Sequence, residues 1–229
     1  MGLSISASPL QITCKGILFD MDGILISSLG SVERSWTKWS LMRGIDPEKT
    51  LRIIHGRRSI ETVAQLRPDL DAEAENRVIE QLEMDDTEGV EALPGALALL
   101  ASLPPSRWSV VTSATEPLAR VRLGATGIPV PGRFVAAESV TLGKPHPAPY
   151  IAGAKLLGLA PEECVVFEDA ASGTKAGRAA GCTVIATTFS HSVEELSHAH
   201  YLIPDLTAVT AEVLADDGGI ALRFTPLAV

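Results

Sequence analysis

Lys15-Gly-Ile-Leu-Phe-Asp-Met-Asp-Gly-Ile-Leu25 is the stretch on which the fold turns. Gly16, Ile17, Leu18 and Phe19 form an almost uninterrupted apolar run, the mark of a strand buried on both faces. Asp20 and Asp22 follow, one residue apart, with Gly23 behind them. A side-chain repeat of two along an extended chain aims both carboxylates the same way. The carboxyl end of a buried parallel strand is where open α/β sheets keep their ligands. Asp-x-Asp-Gly also reads as a solvated turn, so the remainder of the chain has to decide.

Outward from this strand the grammar falls into two parts. Ser31 to Arg43 carries Val32, Trp36 and Trp39 at helical spacing, Ser59 to Leu66 reads as a second helix, and Asp71 to Asp86 as an acidic third. No convincing strand occurs between Leu29 and Ala92, so residues 27–92 read as a helical cap inserted after the first core segment, 1–26. From residue 93 to 229 apolar runs alternate with helical ones. Trp108 to Val111, Phe134 to Ala136, Cys164 to Phe167, Thr183 to Ile185 and a last strand Tyr201 to Ile203 are separated by helices at Pro117 to Leu123, Ala148 to Leu157 and Thr174 to Ala180. The expectation is an α/β protein, a Rossmann-like parallel sheet core with an inserted helical cap. Met1 to Thr13 reads as an extension without identifiable chemistry.

Composition narrows the functions. With 46% hydrophobic residues among 229, the chain buries a sizeable core. A net charge of −9 excludes the basic stripe that a nucleic-acid surface needs. No apolar run approaches the roughly 20 residues that cross a bilayer. Cys14, Cys164 and Cys182 lack Cys-x-x-Cys spacing and read as buried thiols of a reducing compartment. A cytoplasmic monomer acting on a small phosphorylated metabolite, with no nucleic-acid or membrane partner, is the expectation.

The strand ends carry the chemistry. Asp20 and Asp22 close the first, Thr112-Ser113 the second, and Glu168-Asp169 the fourth, while Lys144 stands in the loop Gly143-Lys144-Pro145-His146-Pro147. Carboxylate oxygens in that number suit a hard cation, for which Mg2+ is the expectation. A carboxylate can attack phosphorus, and phosphoryl transfer otherwise needs positioning and charge neutralisation. Asp20 is assigned as nucleophile and Asp22 as general acid/base, with Ser113 and Lys144 completing the catalytic set. Ser113, with Thr112 as the runner-up hydroxyl, is expected to hold the phosphate together with Ala114 and Lys144. From the cap, His55 and Arg57 of Ile54-His-Gly-Arg-Arg58 are candidates for reading the substrate.

The motifs Asp20-Met-Asp-Gly-Ile-Leu25, Val110-Val-Thr-Ser113, Gly143-Lys-Pro-His-Pro147 and Val165-Val-Phe-Glu-Asp-Ala-Ala-Ser-Gly-Thr-Lys-Ala-Gly177 resemble, in order, the four motifs of the haloacid dehalogenase-like hydrolases. The likeness spans Lys15 to about Asp205. Trp36-Thr-Lys-Trp39, Ile54 to Arg58, Glu91 to Ala96 and Gly158 to Ala170 resemble, within the small-helical-cap branch, bacterial sugar phosphatases and 2-deoxyglucose-6-phosphate phosphatases. The resemblance implies an aspartyl-phosphate on Asp20 and Mg2+ held by Asp20, the backbone carbonyl of Asp22 and Asp169, with Glu168 helping directly or from behind. It implies a Mg2+-dependent phosphatase of small sugar or polyol phosphates. A phosphosugar mutase like β-phosphoglucomutase, a catalytically silent sugar-phosphate-binding regulator and a structural calcium site are the alternatives. Ile24 and Ser27 depart from the family's usual Asp-Gly-Thr-Leu-x-Asp-Ser run.

Trp36 and Trp39 read more readily as core than as a sugar platform. His146 reads as a loop residue with a structural role, Lys175 and Arg178 as surface charge, and His191, His198 and His200 as spaced wrongly for a metal.

Overall fold

The strand at Gly16–Phe19 (β2) is buried at every position and lies at the centre of a parallel sheet. The computed structural model describes residues 8–54, 58–215 and 218–228. In it β2 pairs on one side with Trp108–Val110 (β5) and on the other with Cys164–Glu168 (β6). Thr183–Thr187 (β7) and Tyr201–Ile203 (β8) extend the sheet in the order β5-β2-β6-β7-β8. The chain leaves β2 for one neighbour and later returns to the other side. Asp20 therefore stands at a topological switch point, where a crevice opens at the carboxyl edge.

Alternation along the strands sorts the core into two layers. Ile17, Phe19, Val110, Val165, Phe167 and Ile185 face one way, with Phe19 and Phe167 stacked at 5.3 Å. Helices Ala96–Ala101 (α5) and Glu116–Thr126 (α6) supply Leu99, Leu100 and Leu123 to that layer. Leu18, Val111, Val166 and Val184 face the other way, against helices Ala148–Leu156 (α7) and Ala171–Ala180 (α8). Pro117 near the start of α6 and left-handed Gly127 after it mark that helix's ends.

Between β2 and β5 the chain enters a helical block through Ile26–Ser27 (β3) and leaves it through Glu91–Ala92 (β4), which pair antiparallel. The block comprises Leu29–Met42 (α1), Pro47–Leu51 (α2), Ser59–Leu66 (α3) and Ala72–Asp85 (α4). Asp46 and Asp71 cap α2 and α4 by accepting from backbone N–H groups of the first turn. Trp36, Trp39, Ile54, Val63 and Ile79 form the block's own apolar centre. The tryptophan rings meet edge to face at 5.5 Å, and the Trp39 indole donates to Glu75, so core packing accounts for both.

Four expectations need correction. The reputed extension contains a strand, Leu10–Cys14 (β1), paired antiparallel with Ile220–Phe224 (β10), which in turn pairs with Val209–Val213 (β9). Tyr201–Ile203 is accordingly not the last strand, and its Tyr201 ring packs at 5.3 Å on Phe224 of the added sheet. Phe134 to Ala136 contributes only a single bridge, Val111 to Val135, because Pro129 and Pro131 precede it and a 3-10 turn at Ala137–Ser139 follows. β4 supplies a short strand where none was expected before Ala92.

Arg58, at the start of α3, donates to the carbonyls of Ala137 and Val140 at 2.9 and 2.8 Å, pinning the helical block to a core loop. His55 and Arg57 lie outside the described residues. Among the described residues no helix is long and apolar enough to cross a membrane. All three cysteines are free and buried, each thiol pushed up to about 12 by burial.

Candidate active site

The carboxyl edge of the sheet gathers the strand-end residues around one cavity, whose wall includes Asp20, Asp22, Thr112, Ser113, Lys144 and Asp169. Asp20 leaves β2 with its carboxylate held from two sides. Oδ1 accepts from the Met21 N–H at 2.8 Å and lies 2.9 Å from Lys144 Nζ. Lys144 also donates to Glu168 Oε1 at 2.7 Å, so one buried ammonium bridges two strand ends. The Lys144–Pro145 peptide bond is cis.

Glu168 is fully buried and fully engaged. Oε1 accepts from Lys144 and from the Tyr150 hydroxyl at 2.6 Å, while Oε2 accepts from the backbone N–H groups of Asp169 and Ala170 at 2.9 and 3.0 Å. A carboxylate offers about four acceptor sites, and four donors fill them. Burial works against its ionisation, yet Lys144 and these hydrogen bonds hold its pKa below the usual carboxylate range. Gly173 makes the arrangement possible, since a Cβ there would collide with the Glu168 carboxylate.

Asp169 turns the other way. Its Oδ2 accepts from Ser190 Oγ at 2.5 Å, and Gly23 packs so closely on it that a Cβ would strike the carboxylate. Gly23 also has φ +81°, so only glycine suits this turn on both counts. Ligand atoms of Asp20, Glu168 and Asp169 lie within 4.8 Å of one another, the only such acidic, His or Cys group among the described residues. Burial, then the Glu168 charge, raises Asp20 well above its ordinary value despite Lys144. The same two causes push Asp169 up to about 7, with Ser190 opposing. Three carboxylates against one ammonium leave an excess of negative charge, which a divalent cation would offset.

Asp22 sits beside this group with its own partners. Ser28 Oγ donates to Oδ1 at 2.5 Å, and Nη1 of Arg122 approaches both oxygens at 3.1–3.2 Å. Thr112 is buried, and its hydroxyl accepts from the Ala114 N–H at 3.1 Å, shaping the turn that brings half-buried Ser113 to the cavity. Ile24 is wholly buried, so its apolar side chain joins the core instead of facing the cavity. Ser28, next to the departing Ser27, supplies a hydroxyl to Asp22.

The remaining candidates disperse. His146 Nδ1 accepts from the Ala148 N–H at 3.2 Å, a local bond at the start of α7, and Lys175 is exposed on α8. Arg178 reaches the His198 carbonyl, and His200 Nδ1 accepts from the Val184 N–H, so these two histidines serve the scaffold. His191 alone of the three lies at the cavity, 2.7 Å from Ser190 Oγ. Tyr150, Arg122 and Glu83 belong to the site but have no sequence signature: each lies inside a helix, where an aromatic, a basic and an acidic residue read as ordinary helix positions.

Fold and site together mark an enzyme of the haloacid dehalogenase-like hydrolase family, whose profile matches residues 14–181. The chain belongs to that family. It is 44% identical over 202 residues to hexitol phosphatase A of Escherichia coli (strain K12), covering 86% of this chain and 94% of that protein. It is 33% identical over 233 residues to 2-deoxyglucose-6-phosphate phosphatase 1 of Saccharomyces cerevisiae, covering 90% of this chain and 93% of that one. Among solved structures, a hydrolase from Pseudomonas syringae superposes with a TM-score of 0.75 at 25% identity, covering 85% of this chain and 94% of its own.

Proposed function

We propose that this chain is a Mg2+-dependent phosphatase of small sugar or polyol phosphates, working through an aspartyl-phosphate on Asp20. The observation that carries this reading is the buried Lys144 bridging Asp20 and Glu168 at the open end of the central strand, with a second aspartate two residues on. The relatives' activities favour the same substrate class.

Among the described residues both bonds to the Asp20 carboxylate fall on Oδ1, which leaves Oδ2 to attack. As the Asp20–phosphorus bond forms, the ester P–O bond breaks and the leaving oxygen takes a proton from Asp22. Asp22 then takes a proton from water, whose oxygen attacks phosphorus and releases inorganic phosphate and free Asp20. Ser28 and Arg122 fix the aim of Asp22 throughout. Lys144, the Ser113 hydroxyl and the Ala114 backbone face the charge that gathers on the phosphoryl oxygens. The Asp20 and Asp169 carboxylates and the Asp22 carbonyl fit Mg2+, which would supply further neutralisation of that charge. Glu168, its acceptors filled, anchors Lys144 from behind. Residues 27–92 act as the cap that shields the reaction from water. The buried free thiols suit the cytoplasm, where we place the chain as a monomer.

The test is a panel of hexitol, hexose, pentose and glycerol phosphates, following both inorganic phosphate release and isomer formation. Phosphate release with no isomerised ester is expected. Asp22→Asn is expected to lower kcat by about 10²–10⁴, slowing both formation and breakdown of the phosphoenzyme. Stoichiometric isomer without free phosphate would replace the phosphatase by a mutase.

Metal binding carries its own pH signature. Asp169 ionises near 3.8 when unfolded but about 7 when folded. Over that interval the folded state keeps a proton that the unfolded chain has lost, so stability falls as pH rises and levels off above it. Metal-free protein is thus expected to melt at a lower temperature at about pH 8 than at about pH 5.5. Added Mg2+ is expected to raise Tm more at the higher pH, where the ligands have shed their protons. Equal shifts at both values would place the ion elsewhere.

A further inference from the structure

Arg122 is a buried guanidinium with work left undone. Its side chain is 5% exposed, and it borders the same cavity as Asp20 and Asp22. Nη1 is occupied by Asp22. Nη2 lies 3.3 Å from Oε2 of Glu83, yet neither Nη2 nor Nε makes a hydrogen bond among the described residues. Buried donors without acceptors are uncommon and disfavour the state that contains them. Glu83 comes from α4 of the helical block, its side chain 4% exposed, and it too borders the cavity. A guanidinium with two donors short of a hydrogen bond and its ion-pair partner Glu83, which also accepts from Trp36, therefore share one wall.

Position says what they meet. Asp22 marks the leaving oxygen, since it must pass a proton to that atom. Arg122 touches Asp22, and Glu83 stands beyond Arg122, so an alcohol departing at Asp22 would extend past Arg122 toward Glu83. Charge excludes most other occupants. A second phosphate would face the Glu83 carboxylate, and an ammonium would face the guanidinium. A hydroxyl both donates and accepts, so it serves Glu83 and Arg122 together. We propose that Arg122 and Glu83 form a specificity subsite for neighbouring hydroxyls of the leaving alcohol, selecting polyhydroxylated monophosphates over unhydroxylated esters and over bisphosphates. The inference rests on the phosphatase reading above, and it deepens it.

Two arms test it. The first compares kcat/KM for glucitol 6-phosphate and for n-butyl phosphate in the wild type, Glu83→Gln and Glu83→Ala. Wild type is expected to prefer the polyol ester by at least about tenfold, and the variants to narrow that ratio by about ten- to a hundredfold. The second arm uses the Asp20→Asn protein and measures Kd for glucitol 6-phosphate and for inorganic phosphate by calorimetry. Adding Glu83→Gln is expected to weaken the polyol phosphate by at least about tenfold while moving inorganic phosphate less than about twofold. Glu83→Gln keeps the side chain's shape, so it decides the matter if the alanine variant does not fold. Parallel losses on both esters, or equal changes in both dissociation constants, overturn the subsite and leave the phosphatase standing. A wild type that releases phosphate from no ester overturns the phosphatase, and the calorimetric arm then still judges the pair.

Discussion

Asp20→Asn is expected to abolish turnover, lowering kcat by about 10⁴ or more, a loss of the size seen when a covalent nucleophile is removed. An amide oxygen is a poor nucleophile for phosphorus, and the water pathway that remains lacks the covalent step. The wild type quenched in acid during turnover is expected to carry the phosphoryl group on the peptide containing Asp20, and the variant to carry none. Lost activity will not reflect lost structure. Burial and the neighbouring Glu168 disfavour a charged Asp20, so a neutral amide relieves repulsion in the metal-free cluster. The variant's Tm at neutral pH is therefore expected to equal or exceed that of the wild type. Residual hydrolysis within tenfold of wild type, or an adduct on another peptide, would remove Asp20 from the nucleophile's role.

Lys144→Met is expected to damage both activity and stability. The ammonium is 3% exposed and ion-paired to Asp20 and Glu168 at 2.9 and 2.7 Å. Deleting one partner of a buried ion pair leaves the other charge uncompensated, at a cost of about 3–5 kcal/mol. For a chain of this length that corresponds to a fall in Tm of roughly 10 °C. Methionine nearly keeps the side-chain volume, which separates the loss of charge from a packing defect. On the kinetic side, with Lys144 in the phosphate-facing role proposed above, its removal is expected to lower kcat by about 10²–10³. Calorimetric melting checks the first effect and single-turnover kinetics the second. A variant that melts within about 2 °C of wild type would mean that Lys144 does not hold the carboxylates together.

The residues that sequence reveals best are those whose surroundings are decided locally. β2 and β6 are buried on both faces, so their apolar runs are unbroken, and the acids closing them stand out against that background. Asp20, Ser113 and Asp169 are far apart in the chain, but each closely follows a strand of one parallel sheet, and parallel strands end on the same edge; Lys144 instead stands out by its Gly-Lys-Pro-His-Pro loop ahead of α7. β1 was hidden for the opposite reason. Leu10-Gln-Ile-Thr-Cys14 alternates as a strand does, yet its partner Ile220–Phe224 lies at the other end of the chain. Arg122 and Glu83 were hidden because a charge inside a helix reads as solvated, and only the approach of α4 to α6 buries both. Tyr150 gains its role when α7 packs over β2 and β5 and turns its hydroxyl onto Glu168 at the end of β6.

The short β3–β4 ladder has a mechanical consequence. It is where both backbone tethers of the helical block cross, Ile26 beside Ala92 and Ser27 beside Glu91. A swing about that ladder would part Glu83 from Arg122, Glu80 from Thr115 and Arg58 from its loop carbonyls. The bonds among Asp20, Lys144 and Glu168 all lie on the sheet side of the pivot and would survive the swing. The berth of the alcohol can thus be dismantled to let product out while the phosphoryl workbench stays set for the next ester.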